Sequence, residues 1–479
     1  MTESLKNKTV KGIGWSAIER FSVQGVTFLV QIVLARLLTP SDYGIIAILA
    51  VFLQIAQVFI DSGFANALIK KNDCSFEDYS TVFWYNTGVA VFLYLLLFVS
   101  APFISSFYNN SLLTPVLRVI ALTLPLNALS IVQKTKLVKS VDFKSQSKVT
   151  LSSSIISGAI GILMAYLGCG VWALVFQQII NSILHFIFYI AITKWFPNFI
   201  WSKLSFKYVF DFGSKILAAS LIGVVYKNLY SIVIGKRYSA QDLGYFSRAD
   251  QFATFPSNNI GNIISRVSFP IFSTIQDNNE QLLGAYRKMI KFSSFIIFPL
   301  MFCLLAVAEP FVITILTEKW TPCVVLLRIL CIDWSLDHIT LLNLNLLYVK
   351  GRTDLVLRLE VVKKTLAVLI LVVSMPFGLE ALCWGRVIYS IFATIINTYY
   401  THRILKFGII RQISDFAPYL IASIIIAVVV YFSIGLFSSS IIQLIAGCIF
   451  GAVIYFIISL LFFKSIIMEF VTLLKRNKK

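Results

Sequence analysis

Ala35-Arg36-Leu37-Leu38-Thr39-Pro40-Ser41-Asp42-Tyr43-Gly44 returns later in the chain as Gly235-Lys236-Arg237-Tyr238-Ser239-Ala240-Gln241-Asp242-Leu243-Gly244. In each copy an apolar stretch ends in basic residues, a hydroxyl residue follows, and Asp-x-Gly opens the next apolar stretch. Thr39-Pro40-Ser41-Asp42 reads as a turn signal between two spans. The two Asp-x-Gly pairs stand 200 residues apart, at 42 and 242. Six apolar spans fit in that interval, and an even number returns the chain to the same side of a bilayer. The repeat therefore predicts two parallel six-helix lobes related by an axis along the membrane normal.

The rest of the sequence supplies the spans. Hydrophobic residues make up 58% of the 479 and charged residues 13%, against about 25% charged in soluble domains. Mean hydropathy is +0.84. Segments of about 20 apolar residues match the roughly 30 Å hydrocarbon layer. They fall near 13–37, 43–68, 80–107, 112–133, 147–168, 171–195, 206–235, 244–270, 289–316, 323–348, 357–377, 381–402, 414–437 and 441–463. The expected fold is an all-α polytopic membrane protein of about fourteen helices. It divides into lobes at 1–200 and 204–405, with a terminal helix pair and basic tail at 410–479. The first span follows Lys6, Lys8 and Lys11 and has no small-residue cleavage site, so it reads as a retained helix.

A net charge of +19 suggests nucleic acid until the charges are placed. Counting loops alternately puts most of them on one side, including Lys134, Lys136, Lys139, Lys144 and Lys148, and Arg287, Lys288 and Lys291. The other side keeps Arg36, Lys236, Arg237 and Lys319. This is the positive-inside pattern, with both termini cytoplasmic. The excess of charge is topology, with attraction to anionic lipid headgroups as a second role and no nucleic-acid partner. The seven cysteines form no CxxC pair and most lie in apolar spans. No metal, disulfide framework or cofactor is indicated.

Polar residues inside the spans are the candidates for function, because a charge at the bilayer centre costs at least about 2.5–3.5 kcal/mol. Ser16, Arg20, Gln24, Thr27 and Gln31 make one stripe of the first helix. Ser220, Lys227 and Ser231 repeat it in part, and Arg248, Gln251, Asn262 and Arg266 share about one face of the eighth. Such stripes either join helices or line an aqueous cavity. A cavity lined by Arg20, Gln24, Gln31, Lys227, Arg248 and Gln251 favours an anionic ligand such as a phosphate, a pyrophosphate or an acidic sugar. Asp333 and Asp337 step by one helical turn and, with Asp61 beside Gln54 and Gln57, are candidates for coupling to H+ or Na+. The alternative is a structural pair held by Arg328 or by helix-to-helix hydrogen bonds. Lys215, Arg266 and Arg386 read as snorkelling residues near span ends. His185 reads as a packed histidine.

Leu34 through Gly44, followed by Phe59-Ile60-Asp61-Ser62-Gly63-Phe64, resembles the opening of Wzx-type polysaccharide flippases, the polysaccharide transporter family of the MOP superfamily. Ile234-Gly235-Lys236 through Phe246, Ser268-Phe269-Pro270 and Leu316-Thr317-Glu318-Lys319-Trp320 are similar to that family too. The resemblance implies a V-shaped two-lobe transporter working by alternating access. Its implied cargo is a lipid-linked oligosaccharide, usually on undecaprenyl pyrophosphate, carried from the cytoplasmic to the periplasmic leaflet of a bacterial inner membrane. Other polysaccharide-assembly membrane proteins are implied partners. Tyr230 stands where many relatives carry an Asp, which removes one coupling position suggested by analogy. A related multidrug or cation exporter would share the architecture but should have an acidic cavity. A sugar-processing enzyme would need an accessible acid/base site, and no large periplasmic loop is available to hold one.

Overall fold

The computed structural model describes residues 22–61, 63–71, 73–464 and 468. Among these residues the regular structure is helical throughout. With no water to receive backbone amides in hydrocarbon, a spanning segment must satisfy them within itself. The helices are α1 (Ser22–Leu37), α2 (Pro40–Asp61), α3 (Phe64–Lys70), α4 (Phe76–Tyr108), α5 (Leu113–Ile120), α6 (Thr123–Lys139), α7 (Phe143–Tyr166), α8 (Val171–Thr193), α9 (Lys203–Lys227) and α10 (Leu229–Arg237). They continue as α11 (Ala240–Thr274), α12 (Asn279–Ala306), α13 (Ala308–Leu316), α14 (Cys323–Ser335), α15 (Asp337–Val349), α16 (Thr353–Ser374), α17 (Leu379–Leu405), α18 (Ile409–Ile434) and α19 (Ser440–Phe462).

Every expected span is helical over its described residues, but several are broken rather than continuous. The fourth divides between Ile120 and Thr123, the seventh at Asn228, the ninth at Val307 and the tenth at Leu336. Among the described residues, nine segments are long and apolar enough to cross a membrane. Much of their surface is apolar side chain turned outward, as at Phe103, Phe432 and Leu461. In water such a surface would drive association; in lipid it is solvated.

The chain forms two compact units, Met1–Gly244 and Tyr245–Lys479. In the first, α8 packs on α7 and α6, and α9 packs on α2, α3 and α4. Beneath α3 lies a cluster of Phe64, Leu68, Val82, Phe83, Val132, Trp195 and Val209. In the second unit α12 packs on α18, and α17 on α14, α15 and α16. The last helix, α19, reaches α12 through Gly447 and Gly451, where added methyls would press on Val307 and Cys303. Small residues at one-turn spacing let helix backbones approach in lipid, where dispersion replaces the hydrophobic effect as the cohesive force.

The repeat is visible in local geometry. Thr39 donates from its amide and hydroxyl to the Asp42 carboxylate at 2.9 and 2.7 Å, and the Asp42 amide returns to the Thr39 hydroxyl at 3.3 Å. Ser239 and Asp242 make the same three bonds at 3.1, 2.7 and 3.0 Å. Both helix starts are reciprocally capped.

Candidate functional site

The polar interior is best developed in the second unit, around Arg386 on α17. Its guanidinium donates to the Asp250 carboxylate at 2.7 Å and to the Asp333 carboxylate at 2.7 Å. The fork geometry of an arginine suits two carboxylates arriving from different helices, here α11 and α14. The Trp334 indole donates to the same Asp250 oxygen at 3.0 Å, and the Ser390 hydroxyl donates to Asp333. The rings of Trp334 and Phe246 lie 5.5 and 5.8 Å from the guanidinium carbon. Asp333 is 7% exposed, Arg386 15% and Asp250 32%. One carboxylate is therefore sealed against the arginine, and the other is open to whatever fills the adjoining space.

This arrangement corrects two expectations. Arg386 is not a snorkelling residue but the centre of a three-charge cluster. Asp333 and Asp337 do not lie on one unbroken helix, because it breaks at Leu336 and places them in α14 and α15. Nor does Arg328 hold them: it pairs with Glu309 at 3.3 Å and faces the Tyr431 ring. Asp250, an acidic residue within the eighth span, lies about 200° around the helix from Arg248 and so off the face that Arg248 shares with Gln251.

The other predicted residues fall as follows. Arg248 is buried and donates to Gln251, so this pair is brought together as its spacing suggests. Gln24 and Gln31 are half-buried on α1. Lys227 is exposed at the last residue of α9. The adjoining Asn228 donates to Gln54 at 3.0 Å and to the Val224 carbonyl at 2.9 Å, so the helix break is held by side-chain hydrogen bonds. Asp61 accepts from Gln57 at 3.0 Å and is exposed. Arg20 and the stripe residue Ser16 lie outside the described residues.

Further buried polar groups were not singled out from the sequence. Asn343 donates to Gln412 at 3.2 Å and accepts from Thr401 at 2.5 Å, tying α15, α17 and α18 together. His338 shares a 3.0 Å hydrogen bond with Ser294 and meets the edge of Phe298. Asp415 receives both arms of Arg287 at 2.7 and 2.8 Å, with Lys291 at 3.3 Å. These partners come from separate helices, so no single span displays the pattern.

A sequence model of the family described as "Polysaccharide biosynthesis protein" matches residues 33–325. The chain belongs to this polysaccharide biosynthesis family. It is similar to the teichuronic acid biosynthesis protein TuaB of Bacillus subtilis (strain 168), at 28% identity over 74% of this chain and 73% of that one. It is also similar to the lipopolysaccharide biosynthesis protein WzxC of Escherichia coli (strain K12), at 25% identity over 82% of this chain and 80% of that one. The fold is that of the lipid II flippase MurJ in an inward closed conformation, with a TM-score of 0.75 at 16% identity, over 94% of this chain and 99% of the other. The chain is thus a multi-pass membrane protein that shares the fold of that structure.

Proposed function

We propose that this protein flips an undecaprenyl-pyrophosphate-linked oligosaccharide from the cytoplasmic to the periplasmic leaflet of a bacterial inner membrane. The observation that carries the reading is family membership across residues 33–325. It is supported by relatives named for teichuronic acid and lipopolysaccharide synthesis. Two six-helix lobes, at 1–200 and 204–405, would alternate access, with both termini in the cytoplasm as the basic loops favour.

The pyrophosphate is a concentrated anion that must leave water for the membrane interior. Arg248, already buried and steadied by Gln251, supplies a guanidinium for it, with Arg20 and Lys227 as further cations and Gln24 and Gln31 as neutral donors. The lipid tail stays in hydrocarbon. Coupling to H+ or Na+ falls to Asp61, Asp333 and Asp337. The sealed Asp333–Arg386 contact and the open Asp250–Arg386 contact support a role for this cluster in exchanging partners during the cycle.

The test is a deletion strain. Lipid-linked oligosaccharide should accumulate on the cytoplasmic leaflet and clear when the gene is restored. Normal surface glycan with no accumulation in that strain overturns the assignment.

A further inference from the structure

A polar stripe runs along α17 from Arg386. Ser390, Thr394, Asn397, Thr398 and Thr401 follow it on one face of the helix, over about 22 Å. From Thr394 to Thr401 these residues are at most 4% exposed. One end of the stripe is the charge cluster, where the Ser390 hydroxyl donates to Asp333. At the other end Thr398 donates to Gln412 at 3.4 Å and Thr401 to Asn343 at 2.5 Å. Tyr286, fully buried, stands beside Thr401, Gln412 and Asp415. Asp415 lies one turn along α18 from Gln412, held by Arg287 and Lys291, whose side chains are 45% and 39% exposed. The stripe thus leads from a sealed carboxylate to a solvated ion cluster.

Asn397 stands in the middle of it. Thr394 and Thr398 give their hydroxyl protons to carbonyls one turn back, at 2.9 and 2.7 Å, which leaves their oxygens free to accept. The Asn397 side chain is fully buried, and neither its nitrogen nor its oxygen has a hydrogen-bond partner among the described residues. A polar residue that only joined helices would direct those atoms at a neighbour, as Asn343 does with Gln412 and Asn345 with Ser265 and Ser268. An unsatisfied buried amide costs about 1–3 kcal/mol. Internal water is what such groups bind, at about three hydrogen bonds per molecule. Thr394 one turn before and Thr401 one turn after lie on the same face to share it.

We propose that Asn397 holds water at the middle of a proton path joining Asp415 to Asp333. A proton entering at the solvated end passes from water to water, each oxygen gaining one proton and releasing another. Ser390 gives its own proton to Asp333 as it takes the next. Asn397 does not titrate; it positions the water. The charges around the receiving carboxylate are Arg386 and Asp250 in the cluster, Asp337 on α15, and the buried Lys363 of α16, paired with Glu360 at 2.6 Å. Once protonated, Asp333 no longer holds Arg386 as an ion, and the arginine keeps Asp250 alone. The proposal rests on the flippase reading for its coupled cycle and names H+ as the ion.

Brief X-ray radiolysis in heavy-oxygen water marks side chains that touch internal water. Two reporters are compared in the purified full chain: Ala393→Cys, one turn before Asn397 on its face, and Ala367→Cys in α16, at alanines 4% and 2% exposed. Position 393 should take up heavy oxygen several-fold faster than position 367, and Asn397→Leu should remove the difference. Equal labelling at the two positions overturns the proposal. Flipping is then read in vesicles under an imposed pH gradient, with lipid-linked oligosaccharide extracted from the deletion strain. Asn397→Leu should lose gradient-driven flipping several-fold, while Asn397→Ser, which keeps a hydroxyl and leaves room for water, retains most of it. Full gradient dependence in the leucine variant, or equal loss in the serine variant, overturns the path. Should Asn397→Leu fail to accumulate, the two reporters with Asn397 intact and the serine variant decide. Failure of the flippase reading is separable: the deletion strain would then show no accumulated cargo, while position 393 would still label.

Discussion

Arg386 and Asp333 form a 2.7 Å ion pair between α17 and α14, with the carboxylate 7% and the arginine 15% exposed. Asp333 is the better buried of two carboxylates that share this arginine. A buried charge deprived of its partner costs about 3–5 kcal/mol, whereas an apolar replacement of the whole group is often neutral. Arg386→Ala should therefore lower the unfolding midpoint of the purified protein markedly. Arg386→Met combined with Asp333→Leu and Asp250→Leu should recover most of the loss yet export nothing. Export by that triple variant would show the cluster to be structural only.

Arg248→Gln should abolish export while the protein remains folded in the membrane at normal abundance, because the guanidinium is assigned to the cargo phosphates. Surface glycan display and membrane fractionation read the two effects separately. Wild-type glycan from an Arg20→Ala, Arg248→Ala double variant would remove the anion-binding proposal.

Coupling can be measured in vesicles carrying an imposed ion gradient. Asp333→Asn leaves Arg386 with one anionic partner in place of two, so gradient-dependent flipping should fall strongly. Asp337→Asn, across the Leu336 break from Asp333, should produce a loss of its own. Full gradient dependence in both would exclude these carboxylates from coupling.

Asn343→Ala tests the network that joins α15, α17 and α18. Gln412 is fully buried and bonds to Asn343, as does Thr401. An unsatisfied buried polar group costs about 1–3 kcal/mol. The variant should unfold at lower temperature in detergent, with the loss partly reversed by Gln412→Leu in the same chain.

The equivalence of the two caps makes a paired prediction. Asp42→Ala and Asp242→Ala should each destabilise by about 0.5–2 kcal/mol, the usual range for losing an N-cap bond. Their similar hydrogen bonding predicts similar losses, readable as shifts in unfolding midpoint.

The helical positions were legible because hydrocarbon enforces them: any segment crossing it must be apolar and must pair its amides internally. The repeated corner at 35–44 and 235–244 was equally legible as a motif, while the caps inside it emerge only in the structure. The breaks at Asn228 and Leu336 were not, because helical periodicity continues across them without a change in composition. The role of Arg386 was hidden for another reason. Asp250, Asp333 and Arg386 belong to three helices, and nothing local in any one of them names the other two.

By itself, then, the sequence determined a membrane-spanning helical chain with a repeated corner, because hydropathy and a turn motif act over one span or one turn. Only tertiary structure decided which buried charges are partners. Those relations depend on how close two helices come, and that distance is set by packing between segments far apart in the chain.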